Sequence, residues 1–168
     1  RTLPSWQPPD PSWLKINFDG ALFHKEQWAG IGVIIQDNTG MVMASLTQQL
    51  PLPSIVLEVE DLEARRVLKF ALELGFDRVI LEGDCKILIK ALQSMKKSIA
   101  QVGHIAKDVQ HLASLFITSN FVHVCRTCNS VARSLAHQAI LCPHILVWVE
   151  DVPPNINIIL QADLKSLP

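Results

Sequence analysis

The sequence has no tyrosine, only four cysteines among 168 residues and no long hydrophobic run. Four cysteines are too few to build a disulfide scaffold in a chain of this length, which predicts a reducing environment and an intracellular protein. The formal net charge of −1 gives no overall attraction to nucleic acid, so any such binding must depend on a local cationic patch. The sequence does not distinguish nucleus from cytoplasm.

The hydrophobic segments are short. The longest ones, among them Ile31–Ile35 and Ile145–Val149, have the length of strands, whereas a membrane-spanning helix needs about 20 apolar residues. Hydrophobic residues still make up 49% of the chain, enough for the core of a single domain that is expected to be monomeric, with no membrane partner. Because the sequence begins at Arg1 and not at Met, we expect it to be part of a longer polyprotein or host protein.

The periodicity of the apolar residues changes along the chain. Alternation predicts a strand at Leu14–Gly20, and two further strands follow at Trp28–Gln36 and Met41–Leu50. A helical period over Glu58–Leu74 ends at Gly75. After Gly75, the pattern of apolar residues predicts strands at Arg78–Leu81 and Asn120–Arg126. It also predicts helices at Cys85–Met95, Val102–Phe116 and Ser130–Ile140.

This order predicts an α/β fold with a five-stranded mixed sheet flanked by helices. Three strands form an antiparallel meander, and two parallel strands are added through right-handed crossovers. The predicted boundaries are a proline-rich linker at 1–13, a domain at 14–141 and a C-terminal tail at 142–168.

Three acidic residues lie at the ends of central elements. Asp19 and Asp84 each adjoin a glycine at a strand end, and Glu60 lies in the first turn of the first predicted helix. Singly, such residues are typical of turns and of helix N-termini. Together they would meet at one sheet edge and offer the carboxylate oxygens that Mg²⁺ prefers.

Longer segments resemble a known family. Residues 15–21 (KINFDGA) resemble the K-x-N-x-D-G-A signature of ribonuclease H-like domains, specifically the plant reverse-transcriptase-like type of non-LTR retroelements. Residues 71–84 (ALELGFDRVILEGD) are similar to that family's "ALELGF…VILEGDS" segment, and residues 123–132 (HVCRTCNSVA) to its "HVxRxxNxVA" segment. The resemblance covers roughly residues 13–140.

The resemblance implies a ribonuclease H-like fold and a metal-dependent catalytic set. Asp19, Glu60 and Asp84 match the family's catalytic acids, which hold Mg²⁺ or Mn²⁺; Glu58 and Glu63 are alternatives to Glu60. The family's fourth ligand position is occupied by Arg133, a permanent cation that cannot bind a metal. Possible accessory residues are His123 and His137.

A cluster of lysines follows Asp84 without an intervening acid until Asp108. In the family the corresponding region contacts the nucleic-acid backbone, although a solvated helix face is an equal interpretation. Asn17 and the backbone of residues 20–22 are candidates for contacts with the 2′-hydroxyl of RNA. The predicted contact residues are Asn17, Lys86, Lys90, Lys96 and Lys97, with Lys107 and His104 as further members of the patch.

Two functions from different classes follow. The first is an endonuclease that cleaves the RNA strand of an RNA–DNA hybrid, with Arg133 impairing it. The second is a ribonuclease H-like module that binds nucleic acid or a protein partner without cleavage. A zinc site built from Cys125, Cys128, His137 and Cys142 is a weaker alternative, because the spacing supplies only one pair of ligands.

Overall fold

The computed structural model describes residues 2–97 and 107–168, and these form one mixed sheet with helices on both faces. The strands are β1 (Leu14–Phe23), β2 (Trp28–Gln36), β3 (Val42–Pro51), β4 (Arg78–Gly83), β5 (Thr118–His123) and β6 (Ile145–Val149). The helices are α1 (Val56–Glu73), α2 (Lys86–Lys97), α3 (Lys107–Ser114), α4 (Ser130–Gln138) and α5 (Pro154–Lys165). Short 3₁₀ turns cover Arg126–Asn129 and Ala139–Leu141. Within these ranges, no helix combines the length and the apolar character needed to cross a membrane.

The sheet has the strand order β5-β4-β1-β2-β3-β6. Strands β1, β2 and β3 form the predicted antiparallel meander, and β4 and β5 are parallel to β1. The α/β class with a mixed sheet is therefore confirmed, but the predicted count of five strands is wrong. The sixth strand, β6, pairs antiparallel with β3. Its apolar run is visible in the sequence, but its position between Pro143 and Pro153 led to its assignment as tail.

Each face of the sheet has its own apolar core. Alternate residues of β1 point to one face of the sheet, and two of them, Ile16 and Phe18, pack with helices α1, α2 and α3. On the opposite face, Ile34 packs with α4 and α5. The tail segment thus contributes core residues, among them Ile156 and Leu160. The domain boundaries themselves stay a prediction.

Two predicted elements differ in detail. The fifth strand ends at His123, earlier than predicted, because residues 125–128 turn: the Cys128 amide donates to the Cys125 carbonyl at 3.0 Å. Arg126 therefore lies in a 3₁₀ turn and not in a strand. The predicted helix Val102–Phe116 is observed as α3, and its first part, residues 102–106, lies outside the described residues, as does His104.

A buried polar layer lies on the α4 side of β1. The Lys15 Nζ is 2.8 Å from Glu82 Oε1, and both side chains are less than 10% exposed (9% and 8%). Asn17 donates to Glu82 Oε2 at 3.1 Å and to Asn129 Oδ1 at 3.2 Å. Trp6, predicted to be a linker residue, is 2% exposed and donates from Nε1 to Asn17 Oδ1 at 2.9 Å. The layer therefore connects the N-terminal segment, two strands and the start of α4.

Helix α2 covers the outer edge of β5. Gln93 donates to the Phe121 carbonyl at 2.8 Å, and the Lys96 ammonium donates to the Ser119 carbonyl and, at 3.1 Å, to Asn120 Oδ1. Carbonyl groups that a sheet edge would leave open are thereby satisfied within the chain.

We expect Lys15→Met to lower the free energy of unfolding by about 3–5 kcal/mol, because it leaves the Glu82 carboxylate buried without its cation. Adding Glu82→Gln removes that uncompensated charge and keeps the acceptor for Asn17, so the double variant should regain most of the loss. Urea denaturation measures both, with Lys25→Met at an exposed position as the control. A loss no greater than that of the control would contradict the ion pair's role.

Candidate active site

Asp19 and Asp84 lie side by side at one edge of the sheet. The parallel pairing of β1 with β4 sets Asn17 opposite Glu82, and β4 ends at Gly83. Continued for two residues, this register places Asp19 beside Asp84. A hydrogen bond joins their carboxyl groups. The predicted meeting of these two aspartates is confirmed, while their catalytic role stays a prediction.

Helix α1 adds two glutamates to the aspartate pair. Glu60 Oε1 lies 3.8 Å from the thiol sulfur of Cys85, the residue after Asp84. The Glu63 carboxyl group covers Gly20, where an added Cβ would lie 2.7 Å from Glu63 Oε2. Residues three apart on a helix share a face, so both side chains point toward the aspartates. Glu58, by contrast, is exposed.

The assignment of Glu60 alone is therefore incomplete. The acid cluster, as we call Asp19, Glu60, Glu63 and Asp84, contains both glutamates. Among these acids, Asp19 has the largest charge effect on Glu63. Glu63 was named from the sequence only as an alternative, because spacing cannot choose between two residues on one helix face.

Burial and mutual repulsion favour protonated acids in this cluster. Burial, followed by the neighbouring Asp84, raises the pKa of Asp19 to about 7. Burial, followed by the charges of Asp19, Glu60 and Asp84, raises the pKa of Glu63 to about 8. A site in which buried carboxyl groups repel one another is one that a cation would stabilise.

Helix α4 brings Arg133 to the acid cluster. Gly32 pairs with Asp19 across β1 and β2, and an added Cβ on Gly32 would lie 2.2 Å from the Ala132 carbonyl oxygen. The next residue, Arg133, is close enough to Asp19 for its charge to lower the pKa of that aspartate, against the larger effects that raise it. The expectation that position 133 reaches the cleft is confirmed.

Two residues contact Asp84: His123, the last residue of β5, and Arg126, in the turn that follows it. The Arg126 Nε is 3.8 Å from Asp84 Oδ2, and the Arg126 side chain is 69% exposed. His123 is exposed, and its Nε2 lies 3.2 Å from the Asp84 carbonyl oxygen. Arg126 was not a predicted site residue, because the sequence placed it within a strand.

A groove lies along α4 beside Arg126 and Arg133. It has a volume of about 620 Å³. His137 lies at its rim and contacts Phe23 edge-on, with ring centroids 6.1 Å apart. The residues that line the α4 groove carry positive charges and hydroxyl groups, with Ile159 of α5 on one side: Arg126, Thr127, Ser130, Arg133, Ser134 and His137. Their recurrence every three or four residues is the sequence signal that could have found them.

The prediction that Asn17 contacts nucleic acid is wrong for this structure. Asn17 is 2% exposed, and its side-chain amide bonds to Trp6, Glu82 and Asn129. Its carboxamide forms part of the buried polar layer and does not reach the surface.

The predicted lysine contacts lie on the surface of α2. Lys86, Lys90, Lys96 and Lys97 are all exposed. Lys86 begins the helix two residues after Asp84 and is thus the lysine nearest the acid cluster in sequence. Lys96 is bonded to β5, so its charge is partly used within the chain.

The acid cluster fits a divalent cation of the magnesium type. In the described residues no three His, Cys, Asp or Glu side chains form a ready-made metal cage. Mg²⁺, however, keeps several waters and binds through one or two carboxylates together with substrate phosphates. The adjacent carboxyl groups of Asp19 and Asp84 provide such an oxygen donor pair. The zinc alternative gains no support, since its four ligands are not assembled in the described part of the chain and Cys142 is buried.

Because the pKa of Glu63 is raised, the folded chain becomes less stable as the pH rises. Its carboxyl group is protonated in the folded chain up to about pH 8 but ionises near its ordinary value of 4.5 when unfolded. In metal-free buffer the free energy of unfolding should therefore decrease as the pH rises from 4.5 to 8. The slope for this one group is at most about 1.4 kcal/mol per pH unit. Glu63→Gln should flatten this dependence in urea titrations, whereas the exposed control Glu58→Gln should leave it. Parallel curves for the parent and Glu63→Gln would contradict the protonated state.

Comparisons with known proteins agree with this architecture. The sequence matches the model of the reverse transcriptase-like family over residues 17–139, more than half of the chain. No curated protein matches it.

Solved structures of ribonucleases H superpose on the chain. RNase H1 from Halobacterium salinarum NRC-1 has 22% identity and a TM-score of 0.64, covering 76% of this chain and 97% of that one. The N-terminal RNase H domain of rv2228c from Mycobacterium tuberculosis has 22% identity and a TM-score of 0.62, covering 76% and 93%. LC11-RNase H1, in complex with an RNA/DNA hybrid, has 20% identity and a TM-score of 0.54, covering 76% and 96%.

These identities are low enough that the structures establish the fold alone. The family match covers β1 from Asn17, the acid cluster and α4. The chain belongs to the reverse transcriptase-like family and has the α/β fold of ribonuclease H.

Proposed function

We propose that this chain is a divalent-metal-dependent ribonuclease that hydrolyses the RNA strand of RNA–DNA hybrids. The observation that carries the proposal is the position of the Asp19–Asp84 pair beside two arginines of the α4 groove. Arg126 contacts Asp84 and Arg133 acts on Asp19, and both arginines line the groove. The hybrid bound by LC11-RNase H1, a protein of the same fold, supports this choice of substrate.

The α4 groove suits the backbone of a nucleic acid. Arginine binds phosphate through its planar set of donors, and hydroxyl groups of Thr127, Ser130 and Ser134 can donate to phosphate oxygens. Such contacts position a strand without reading its sequence. The exposed lysines of α2 would add affinity of the same sequence-independent kind.

The acid cluster would hold the metal and the reacting phosphodiester would lie above it. Asp19 and Asp84 would bind Mg²⁺ or Mn²⁺ through their carboxylate oxygens, with Glu60 and Glu63 behind them. When bound, the ion would act as a Lewis acid on the scissile phosphate and offset the negative charge there. In the hydrolysis, water adds to phosphorus and the bond to the 3′-oxygen breaks, which leaves a 3′-hydroxyl and a 5′-phosphate.

Discrimination of RNA from DNA requires a contact with the 2′-hydroxyl. With Asn17 buried, the remaining candidate from the sequence is the backbone of residues 20–22, next to Asp19. Membership of the plant non-LTR retroelement group is part of the same proposal, supported by the motifs at residues 15–21, 71–84 and 123–132.

A second function is favoured by a specific feature of the site. Arg126 and Arg133 bring permanent positive charge to both aspartates, where it competes with a metal ion. A chain in which the arginines prevail would bind hybrids through the α4 groove and leave them intact. Hybrid binding by the parent chain without cleavage in either Mg²⁺ or Mn²⁺ would select this function.

We expect Asp19→Asn to reduce cleavage of a labelled RNA–DNA hybrid by at least about 10²-fold, because it removes a metal-binding oxygen. Hybrid affinity, measured without metal, should stay within about twofold of the parent, since the groove is unchanged. The control is Asp10→Asn, at an exposed aspartate before β1. Undiminished cleavage by Asp19→Asn would contradict the catalytic assignment.

We expect Arg133→Asp to act in opposite directions on catalysis and binding. The added carboxylate and the lost cation should raise kcat in Mg²⁺ relative to Mn²⁺, since the metal no longer competes with a guanidinium. The lost phosphate contact should weaken hybrid binding and reduce the slope of log affinity against log salt by about one.

The matched control is Arg78→Asp, at the start of β4 and so at the opposite end of that strand from Asp84. It should change neither the metal preference nor the salt slope by a comparable amount. If Arg133→Asp leaves kcat unchanged and the parent already cleaves well in Mg²⁺, Arg133 does not oppose metal binding.

A further inference from the structure

Two cysteines face each other across the turn that follows β5. Cys125 and Cys128 are both free thiols, and their sulfur atoms are 3.3 Å apart. The turn is closed by the hydrogen bond from the Cys128 amide to the Cys125 carbonyl at 3.0 Å. A disulfide requires the sulfur atoms to approach to about 2.05 Å, a movement of little more than 1 Å. The backbone therefore already holds the pair in a geometry close to that of a bond.

The environments of the two thiols differ. Cys125 is exposed, and its sulfur lies 3.1 Å from the Thr127 hydroxyl and near the Cys128 thiol, contacts that lower its pKa. Partial burial and the neighbouring Cys125 raise the pKa of Cys128 to about 11. An exposed thiol that ionises readily beside a more shielded one matches an attacking and a resolving cysteine.

The chain's other cysteines lack this arrangement. Cys85 is half-buried behind Asp84, where burial raises its pKa, and Cys142 is buried. Both serve as internal references for reactivity, because the same oxidant meets all four thiols.

We propose that Cys125 and Cys128 form a redox-active dithiol, oxidised to an intramolecular disulfide by exchange with a small disulfide such as glutathione disulfide. The Cys125 thiolate attacks one sulfur of the small disulfide, whose other half leaves as a thiolate and takes up a proton. The Cys128 thiol loses its proton, attacks the mixed disulfide at the Cys125 sulfur and releases the second small thiol. Two protein thiols are oxidised and one small disulfide is reduced to two thiols.

Because of where the turn lies, this oxidation would change contacts near Asp84 and the N-terminal segment. Arg126 and Thr127 lie between the two cysteines. Arg126 contacts Asp84, and the Thr127 hydroxyl donates to the Pro4 carbonyl at 2.8 Å. Thr127 also supplies the hydroxyl beside the Cys125 sulfur. Drawing the sulfur atoms together would alter the contacts of both residues. The thiol chemistry itself does not depend on the proposed ribonuclease function.

The test is a redox titration of the full chain across ratios of reduced to oxidised glutathione, with acid quenching and alkylation of the remaining free thiols. We expect the peptide containing Cys125 and Cys128 to lose two hydrogen atoms and to escape alkylation in one transition. Cys85 and Cys142 should stay alkylatable throughout. Reduction with dithiothreitol should restore all four thiols.

Single variants separate the two steps. Cys128→Ser should accumulate glutathione on Cys125, because no resolving thiol remains. Cys125→Ser should take up glutathione far more slowly than Cys128→Ser at the same pH. Cys125 is exposed and Cys128 partly exposed, and circular dichroism should show that each variant is folded.

Three results would overturn the proposal. The first is that both thiols stay alkylatable at the most oxidising ratio. The second is a disulfide that joins Cys125 to another chain or to Cys85. The third is protection of both thiols by a bound zinc ion that a chelator removes, which would make the pair a metal site.

Discussion

The close approach of α4 to β2 is the constraint on which the site depends. Gly30 and Gly32 leave no room for a side chain: an added Cβ would lie 2.2 Å from the Ala136 and Ala132 carbonyl oxygens, respectively. The helix backbone therefore rests on the strand backbone, directly opposite Asp19. A larger residue at either glycine would lift α4 and with it Arg133 and the α4 groove away from the acid cluster.

The buried polar layer also holds α4, β1 and β4 in place around the aspartates. Asn129, 1% exposed, donates to the Phe18 carbonyl at 2.9 Å, so the residue that precedes α4 is tied to the strand that carries Asp19. Lys15 and Glu82 tie β1 to β4 just before both strands reach their aspartates. Polar groups buried in this way are costly unless all are bonded, and their mutual bonds define one register. The spacing of Asp19 and Asp84 is thus set by buried residues outside the acid cluster.

The sequence was sufficient for the elements that follow a clear period. Alternation identified β1, and the helical period with its Gly75 stop identified α1, because burial of one face produces these patterns. Strands β2 and β3 followed from a strand-length apolar run and from the turn at residues 37–40. The meeting of Asp19 and Asp84 also followed, since parallel strands end at a common edge. By contrast, Asn17 and Trp6 have no local signal for burial. Asn17 donates to Glu82 and Asn129, which are distant in sequence, and Trp6 donates to Asn17, so these contacts exist only in the fold. The choice between Glu60 and Glu63 depends on the rotation of α1 by a fraction of a turn, which hydrophobic spacing does not resolve.

The covering of β5 by α2 makes the two edges of the sheet unequal. Gln93 and Lys96 occupy the Phe121 and Ser119 carbonyls, so these two acceptors are not open to a strand from another chain. The opposite edge is β6, whose residues Ile145, Leu146 and Val147 are 41%, 43% and 45% exposed. Addition of a strand at β5 would have to displace these two side chains, so growth of the sheet is favoured at the β6 edge.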